Sequence, residues 1–338
     1  MKRPHTIGLL GLIATLALMI GGGHSLAATR AHMQAATKVN LTLDWTPNPD
    51  HVALYYALKK GFFTKAGLDV HMQAPSDPSL PLKLVGVNKT DLAISYEPEL
   101  FYGAQKHLPA IVVAAVVPVP LNSLIALKSA HINKLSDLKG HTVGTTGIPS
   151  DEAIFATMLH TAHLKTSDGK NVHVGFNLVT SLLSHKVDAI IGGYRNVEAI
   201  QVGQKVHQAP SVFPANTLGV PNYDELVLVA NANRLKSDAA YATTVRKFVG
   251  ALVAAAKAAR ANASDAITIM KQTTQYDASF LKKSVPTTLA LLKPSSSGLG
   301  CISPQQWQSF GNWMLKRKLI KTPVKAATVM TTAYLQGC

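Results

Sequence analysis

Apolar and polar positions along the chain switch between two periods, and the switching predicts a series of elements. Val39 to Leu43 has the short apolar run of a strand, and Val52 to Lys60 has helical spacing that Gly61 stops. Leu68 to Met72 reads as the next strand, introduced by a turn at Gly67. A helical stretch from Pro81 to Val87, a short buried strand from Leu92 to Ser95 and a helix from Glu97 to Gln105 follow. Ile111 to Val117 is a continuous apolar run rich in β-branched residues. This strand–helix–strand rhythm predicts a parallel sheet.

A second rhythm starts near His131. Ser136 to Gly140 reads as a short helix with its stop, and Thr142 to Thr145 as a strand. Ser150 can cap a helix from Asp151 to His160. Val172 to Gly175, Leu178 to Leu183 and Ala189 to Ile191 give strand, helix and strand, and Leu226 to Ala230 gives one more strand. From Asp238 onward the pattern is helical, with an Ala-rich helix from Ala239 to Ala261. Pro286, Pro294 and the run Ser295 to Gly298 interrupt it, and Pro304 opens a helix whose Trp307, Phe310 and Met314 recur at core spacing.

That order predicts an α/β protein of two similar lobes, the second inserted into the first. Residues 38–124 and 226–338 make the first lobe and 125–225 the second, with crossings near Leu121–Leu127 and Pro221–Leu226. A cleft between such lobes is a natural ligand site, and two crossings make a hinge.

Composition narrows the setting. With 47% hydrophobic and 15% charged residues the chain of 338 can bury a substantial core. Lys2 and Arg3, the apolar stretch Ile7 to Ile20 and Ser25-Leu26-Ala27 have the form of a cleavable secretory leader over residues 1–27. The apolar stretch is shorter than the ~20 residues of a membrane span. Net charge is +15, and losing Lys2 and Arg3 with the leader lowers it to +13. Lysines and arginines are scattered with no basic run, which argues against nucleic acid as a partner. Cys301 and Cys338 are the two cysteines. An oxidising compartment permits a disulfide between them, the alternative being two unpaired thiols.

The candidate chemistry sits where strands end. Asp44, Trp45, Asn48 and His51 follow the first strand, Tyr96 and Glu97 the third, and Gly147 opens the segment after the Thr142–Thr145 strand. Tyr194, Asn196 and Glu198 follow the Ala189–Ile191 strand, where Gly192 and Gly193 open the next helix. In open α/β sheets this edge is where ligands bind. An indole can stack on a flat ring, and carboxylates and an amide can read its heteroatoms. Each residue also has a plain structural use, in core packing or helix capping. No GxSxG, HExxH, GxGxxG or Gly-Lys-Ser/Thr loop is present, and no cysteine–histidine spacing suits zinc, so no catalytic residue, metal or cofactor is expected.

The segments Leu43-Asp44-Trp45-Thr46-Pro47-Asn48-Pro49-Asp50-His51, Lys60-Gly61-Phe62-Phe63, Gly67 to Val70, Pro120 to Leu124, Asp137 to Gly140, Gly147 to Ala153 and Gly193 to Ala199 come in an ordered series. Together they resemble the solute-binding receptors of ABC transporters that take up thiamine pyrimidine precursors, over roughly Val39 to Val229. The resemblance implies a two-lobed periplasmic-binding-protein fold of type II, each lobe a mixed, mostly parallel sheet flanked by helices. It implies a formylaminomethyl, aminomethyl or hydroxymethyl pyrimidine in the cleft, stacked by Trp45 and Tyr194 and read by Asp44 and Glu198. It also implies a periplasmic monomer that meets the membrane only through an ABC permease and its ATPase. Arg195 stands where such receptors often carry an aromatic residue, and a larger or more acidic ligand would suit that departure. Receptors for sulfonate, nitrate or another small anion share the fold. So does a pyrimidine phosphate synthase that consumes its own histidine, but its cysteine-rich run has no counterpart near Gly219 to Val229.

Overall fold

The computed structural model describes residues 35–292, 298–336 and 338. Residues 1–27, expected from the sequence to be a leader, and the Pro294–Ser297 break lie outside the described residues. Within them, ten strands build two sheets: β1 Thr37–Thr42, β2 Leu68–Gln73, β3 Leu92–Ser95, β4 Ala110–Val117, β5 Asn122–Ala126, β6 Thr142–Thr145, β7 Lys170–His173, β8 Ala189–Tyr194, β9 Ser211–Pro214 and β10 Leu226–Asn231.

The two sheets share one topology. Their orders are β2-β1-β3-β10-β4 and β7-β6-β8-β5-β9. In the first, β1 runs parallel to β2 and β3, and β10 runs antiparallel to both its neighbours. In the second, β6 runs parallel to β7 and β8, and β5 is the antiparallel strand. Each antiparallel strand is the first laid down after the chain changes sheets. Each sheet is thus mixed and mostly parallel, and helices flank it: the fold class read from the sequence.

Several elements differ from the expectation. The segment read as a crossing, near Leu121–Leu127, contains β5, so the change of sheet falls between Val117 and Asn122. All five residues of β5 are buried on both faces, which erases the polar–apolar alternation that marks a half-exposed strand. Strand β8 continues to Tyr194, so Gly192 and Gly193 end a strand, and the next helix starts at Glu198. The helix Pro149–Thr161 is capped at Ile148, which puts Ser150 in the first turn and not at the cap.

Apolar residues form a core on both sides of the first sheet. On one side the Ala-rich helix Ala239–Ala261 lies over Val52–Lys59, with Phe63 stacked on Phe248 at 4.6 Å. On the other side Phe101, Trp307 and Phe310 pack together, and Met314 joins them. Trp307, Phe310 and Met314 are therefore core, as their spacing predicts. Trp307 also satisfies its indole N–H on Asp224 at 2.8 Å.

The outer edge of β4 does not stay open. Its Val112 N–H donates to Val329 and its carbonyl accepts from Thr331, both at 2.9 Å, and Ala115 N–H donates to Gly300 at 2.9 Å. Cys301 and Cys338 form a disulfide, Cα to Cα 5.7 Å, which resolves the two alternatives for these thiols. No helix of the described residues is long and apolar enough to cross a membrane.

Candidate ligand site

Topology brings the site together. The carboxyl ends of β1, β3, β6 and β8 point toward the space between the sheets. Because β5 and β10 run antiparallel, their first residues reach the same space. Asp44 and Trp45 follow β1, Tyr96 follows β3, Thr146 and Asp151 follow β6, and Tyr194 closes β8. Asn122 begins β5, and Tyr223 and Glu225 precede β10. All of these line one cleft, with Asn48, Ile148, Ser150, Gly192 and Glu198.

Asp44 is the best-supported polar group. It is buried; its Oδ2 accepts from the Tyr96 hydroxyl at 3.0 Å, and its Oδ1 lies 2.8 Å from His51 Nε2. His51 Nδ1 in turn accepts the Asn48 backbone N–H at 3.2 Å. A ring nitrogen that accepts carries no proton, so the imidazole is neutral and donates from Nε2 to Asp44. Asn48 completes the turn by accepting Asp50 N–H at 2.8 Å.

The second lobe contributes two raised carboxyls. Asp151 accepts from Asn122 Nδ2 at 2.6 Å and from the Thr146 hydroxyl, yet burial pushes its pKa up to about 7. Burial likewise lifts Glu198 to about 7, although it accepts the Tyr194 N–H at 2.8 Å. Gly192 lets β8 pass close to this group: it has φ +88, and a Cβ there would stand 2.5 Å from Asp151 Oδ2.

Glu225 ties the two crossings together. Its Oε2 accepts the Leu121 and Asn122 N–H groups at 2.6 and 2.8 Å and the Tyr223 hydroxyl at 2.9 Å. Tyr194 donates to its other oxygen at 3.4 Å. Burial raises Glu225, against these hydrogen bonds.

Of the residues singled out from sequence, Asp44, Trp45, Asn48, Tyr96, Tyr194 and Glu198 lie on the cleft wall. Trp45 and Tyr194 share that wall without ring contact. The ring that Trp45 meets is Phe176, edge on at 4.5 Å. His51 is a correction: it is fully buried behind Asp44 and holds that carboxylate. Glu97 is another. It is buried against Asp224 N–H at 2.7 Å and the Gln306 amide at 3.1 Å, away from the cleft wall. Gly147 adopts φ +84 with His173 where a Cβ would fall, so it serves the loop and not the wall. The amide of Asn196 is buried against Asp50 at 2.6 Å and Thr288 at 2.8 Å. Arg195 donates to the Pro120 carbonyl and to Leu121 through its backbone, so its charge serves the crossing. The N-terminal turn of Pro149–Thr161 gives its Ser150 N–H to Glu99 of the first lobe at 2.9 Å.

Sequence reading missed Asn122, Thr146, Asp151, Tyr223 and Glu225 as wall residues. Asn122, Tyr223 and Glu225 lay in segments taken as crossings, and Thr146 and Asp151 in the candidate segment around Gly147, of which the glycine alone was named. The antiparallel sense of β5 and β10 is what carries Asn122 and Glu225 into the site.

A family model described as NMT1/THI5 like matches residues 48–266. The chain belongs to the NMT1/THI5-like family. Within and beyond it, the chain is 40% identical over 215 residues to a Haemophilus influenzae protein named for thiamine biosynthesis, covering 63% of this chain and 68% of that one. It is 39% identical over 206 residues to the formylaminopyrimidine-binding protein of Halalkalibacterium halodurans, covering 60% of this chain and 61% of that one. At 28% identity over 156 residues, 46% of each chain, it matches a Saccharomyces cerevisiae protein named 4-amino-5-hydroxymethyl-2-methylpyrimidine phosphate synthase. The fold is that of the alkanesulfonate-binding protein of Xanthomonas axonopodis pv. citri solved with MOPS. The two agree with TM-score 0.68 at 14% identity, over 88% of this chain and 99% of that one.

Proposed function

We propose that this NMT1/THI5-like protein is an extracytoplasmic solute-binding protein of an ABC importer. Its ligand is a thiamine pyrimidine precursor carrying an aminomethyl, formylaminomethyl or hydroxymethyl group. The observation that carries the reading is the make-up of the cleft wall. Trp45, Tyr96, Tyr194 and Tyr223 supply aromatic surface, Asp44, Asp151, Glu198 and Glu225 supply acceptors, and no lysine, arginine or histidine is among the lining residues. A ring bearing an amino group donates hydrogen bonds to such acceptors and offers a face to the indole.

The same wall weighs against a sulfonate or nitrate. A buried anion needs free hydrogen-bond donors, and here Tyr96, Asn122, Thr146 and Tyr223 already donate to carboxyls, each of which repels an anion when ionised. The overall positive charge favours anions only at long range. A synthase that consumes a histidine needs one within reach of the ligand, and the lining residues include none. Exchange of the ligand with a permease and its ATPase follows from the receptor reading, as does export by the leader at 1–27.

Titration calorimetry with aminomethyl-, formylaminomethyl- and hydroxymethylpyrimidine, taurine and nitrate tests the reading. Binding of a pyrimidine alone is the expected result. Binding of taurine or nitrate with no pyrimidine response would overturn it.

A further inference from the structure

Asp50 and Asn196 face each other across the two lobes with an unbalanced set of hydrogen bonds. Asp50 lies in the turn Pro49–His51 after β1, and Asn196 between β8 and the helix Glu198–Lys205. Both are fully buried. Asn196 Nδ2 donates to Asp50 Oδ1 at 2.6 Å and to Thr288 Oγ1 at 2.8 Å, and the Asn196 backbone carbonyl accepts from the Ser284 hydroxyl. That leaves Asp50 Oδ2 and Asn196 Oδ1, which are both buried and both without a partner. Buried polar atoms are rarely left so, and two orphans in one residue pair point to one missing hydrogen. A carboxylate and an amide oxygen are both acceptors. A carboxylic acid beside a primary amide forms two hydrogen bonds, N–H to one oxygen and O–H to the amide oxygen.

We propose that Asp50 is protonated in the folded protein and that this acid–amide pair with Asn196 fastens the second lobe to the first. The charged surroundings agree. Burial raises the Asp50 pKa well above the ordinary range, against the Asn196 hydrogen bond that lowers it, and negative charge on Glu198 of the second lobe, Asp44 after β1 and Glu225 before β10 adds to the rise. Arg195 is the cation that faces it, and that guanidinium is committed to the Pro120 carbonyl. Tyr276 also faces it and is itself pushed up by burial. His51, next in the chain, is neutral and turned to Asp44.

The pair ties lobe attachment to pH. A carboxyl raised on folding binds its proton more tightly in the folded chain than in the unfolded one. Its contribution is complete below the unfolded value of about 4 and is lost as pH rises through the folded value. This inference does not depend on which ligand the cleft takes.

The test is Asp50→Asn in the full-length protein, compared with wild type by infrared spectroscopy and by thermal unfolding from about pH 5 to about pH 9. The amide keeps both hydrogen bonds without needing a proton. The expected difference spectrum shows a protonated-carboxyl band that Asp50→Asn removes. The melting temperature of the variant should fall less steeply with pH and exceed that of wild type at the alkaline end. An unchanged band together with an unchanged pH slope would overturn the proposal. If the variant does not fold, carbon-13 NMR of the wild-type Asp50 carboxyl decides: an ionised Asp50 near neutral pH refutes it, and a protonated one supports it.

Discussion

His51 Nε2 stands 2.8 Å from Asp44 Oδ1, with the Asn48 amide 3.2 Å from the other ring nitrogen. The imidazole is therefore a fixed donor that aims a carboxylate into the cleft. Replacing His51 with Ala removes that donor and leaves a buried carboxylate oxygen unmatched, at a cost of roughly 1–3 kcal/mol of stability. Thermal unfolding measures this. Ligand affinity should fall as well, through a misplaced Asp44. A His51→Ala protein with wild-type stability and affinity would refute the positioning role.

Trp45 presents the indole of the first lobe to the cleft, with Phe176 of the second lobe at its edge. Trp45→Ala should weaken binding of an aminopyrimidine by tenfold or more, about 1.4 kcal/mol, with the fold intact. Trp45→Phe keeps an aromatic face and should recover most of the loss. Calorimetry on the two variants separates stacking from mere bulk.

Asp151 and Glu198 both titrate near pH 7 because burial disfavours their charge. A ligand amine that donates to either group binds the ionised form better. Affinity should then rise with pH through about 7 and level off above it. Stability of the ligand-free protein runs the opposite way. Both groups hold protons in the folded chain that the unfolded chain has released, so stability falls as pH rises from about 4 toward 7. Calorimetry and melting curves across that range check the two signs separately, and Glu198→Gln should flatten each.

Gly192→Ala tests how closely the second lobe is built around Asp151. The new Cβ would stand 2.5 Å from Asp151 Oδ2 and 2.6 Å from the Thr146 methyl, in a backbone conformation that side chains avoid. A cost of about 1–3 kcal/mol is expected, with loss of ligand affinity, as Asp151 is pushed from its Asn122 and Thr146 partners. An unaffected melting temperature would mean that β8 can move away.

Much of this architecture is legible in the chain. The helices Glu97–Gln105 and Ala239–Ala261 carry clear periods with capping or acidic first turns, and their bounds come directly from the residues. Asp44, Trp45, Tyr96 and Glu198 were marked by one rule, that ligands meet parallel strands at their carboxyl ends. The same rule conceals Asn122 and Glu225, because strand direction depends on pairing and not on local pattern. Glu97 and Asn196 follow strands too, but partners 209 and 146 residues away draw them inward. No local spacing encodes such partners.

The strap along β4 has a consequence for how the protein is handled. An open sheet edge recruits other strands, and here the edge is covered by backbone from the far end of the chain, secured by a link between residues 37 apart. Dithiothreitol would cut that link without touching a single cleft residue. Reduced protein should then scatter more light and elute as multimers while still binding its ligand, whereas oxidised protein stays monodisperse. A reducing buffer chosen to protect the sample would be what makes it associate.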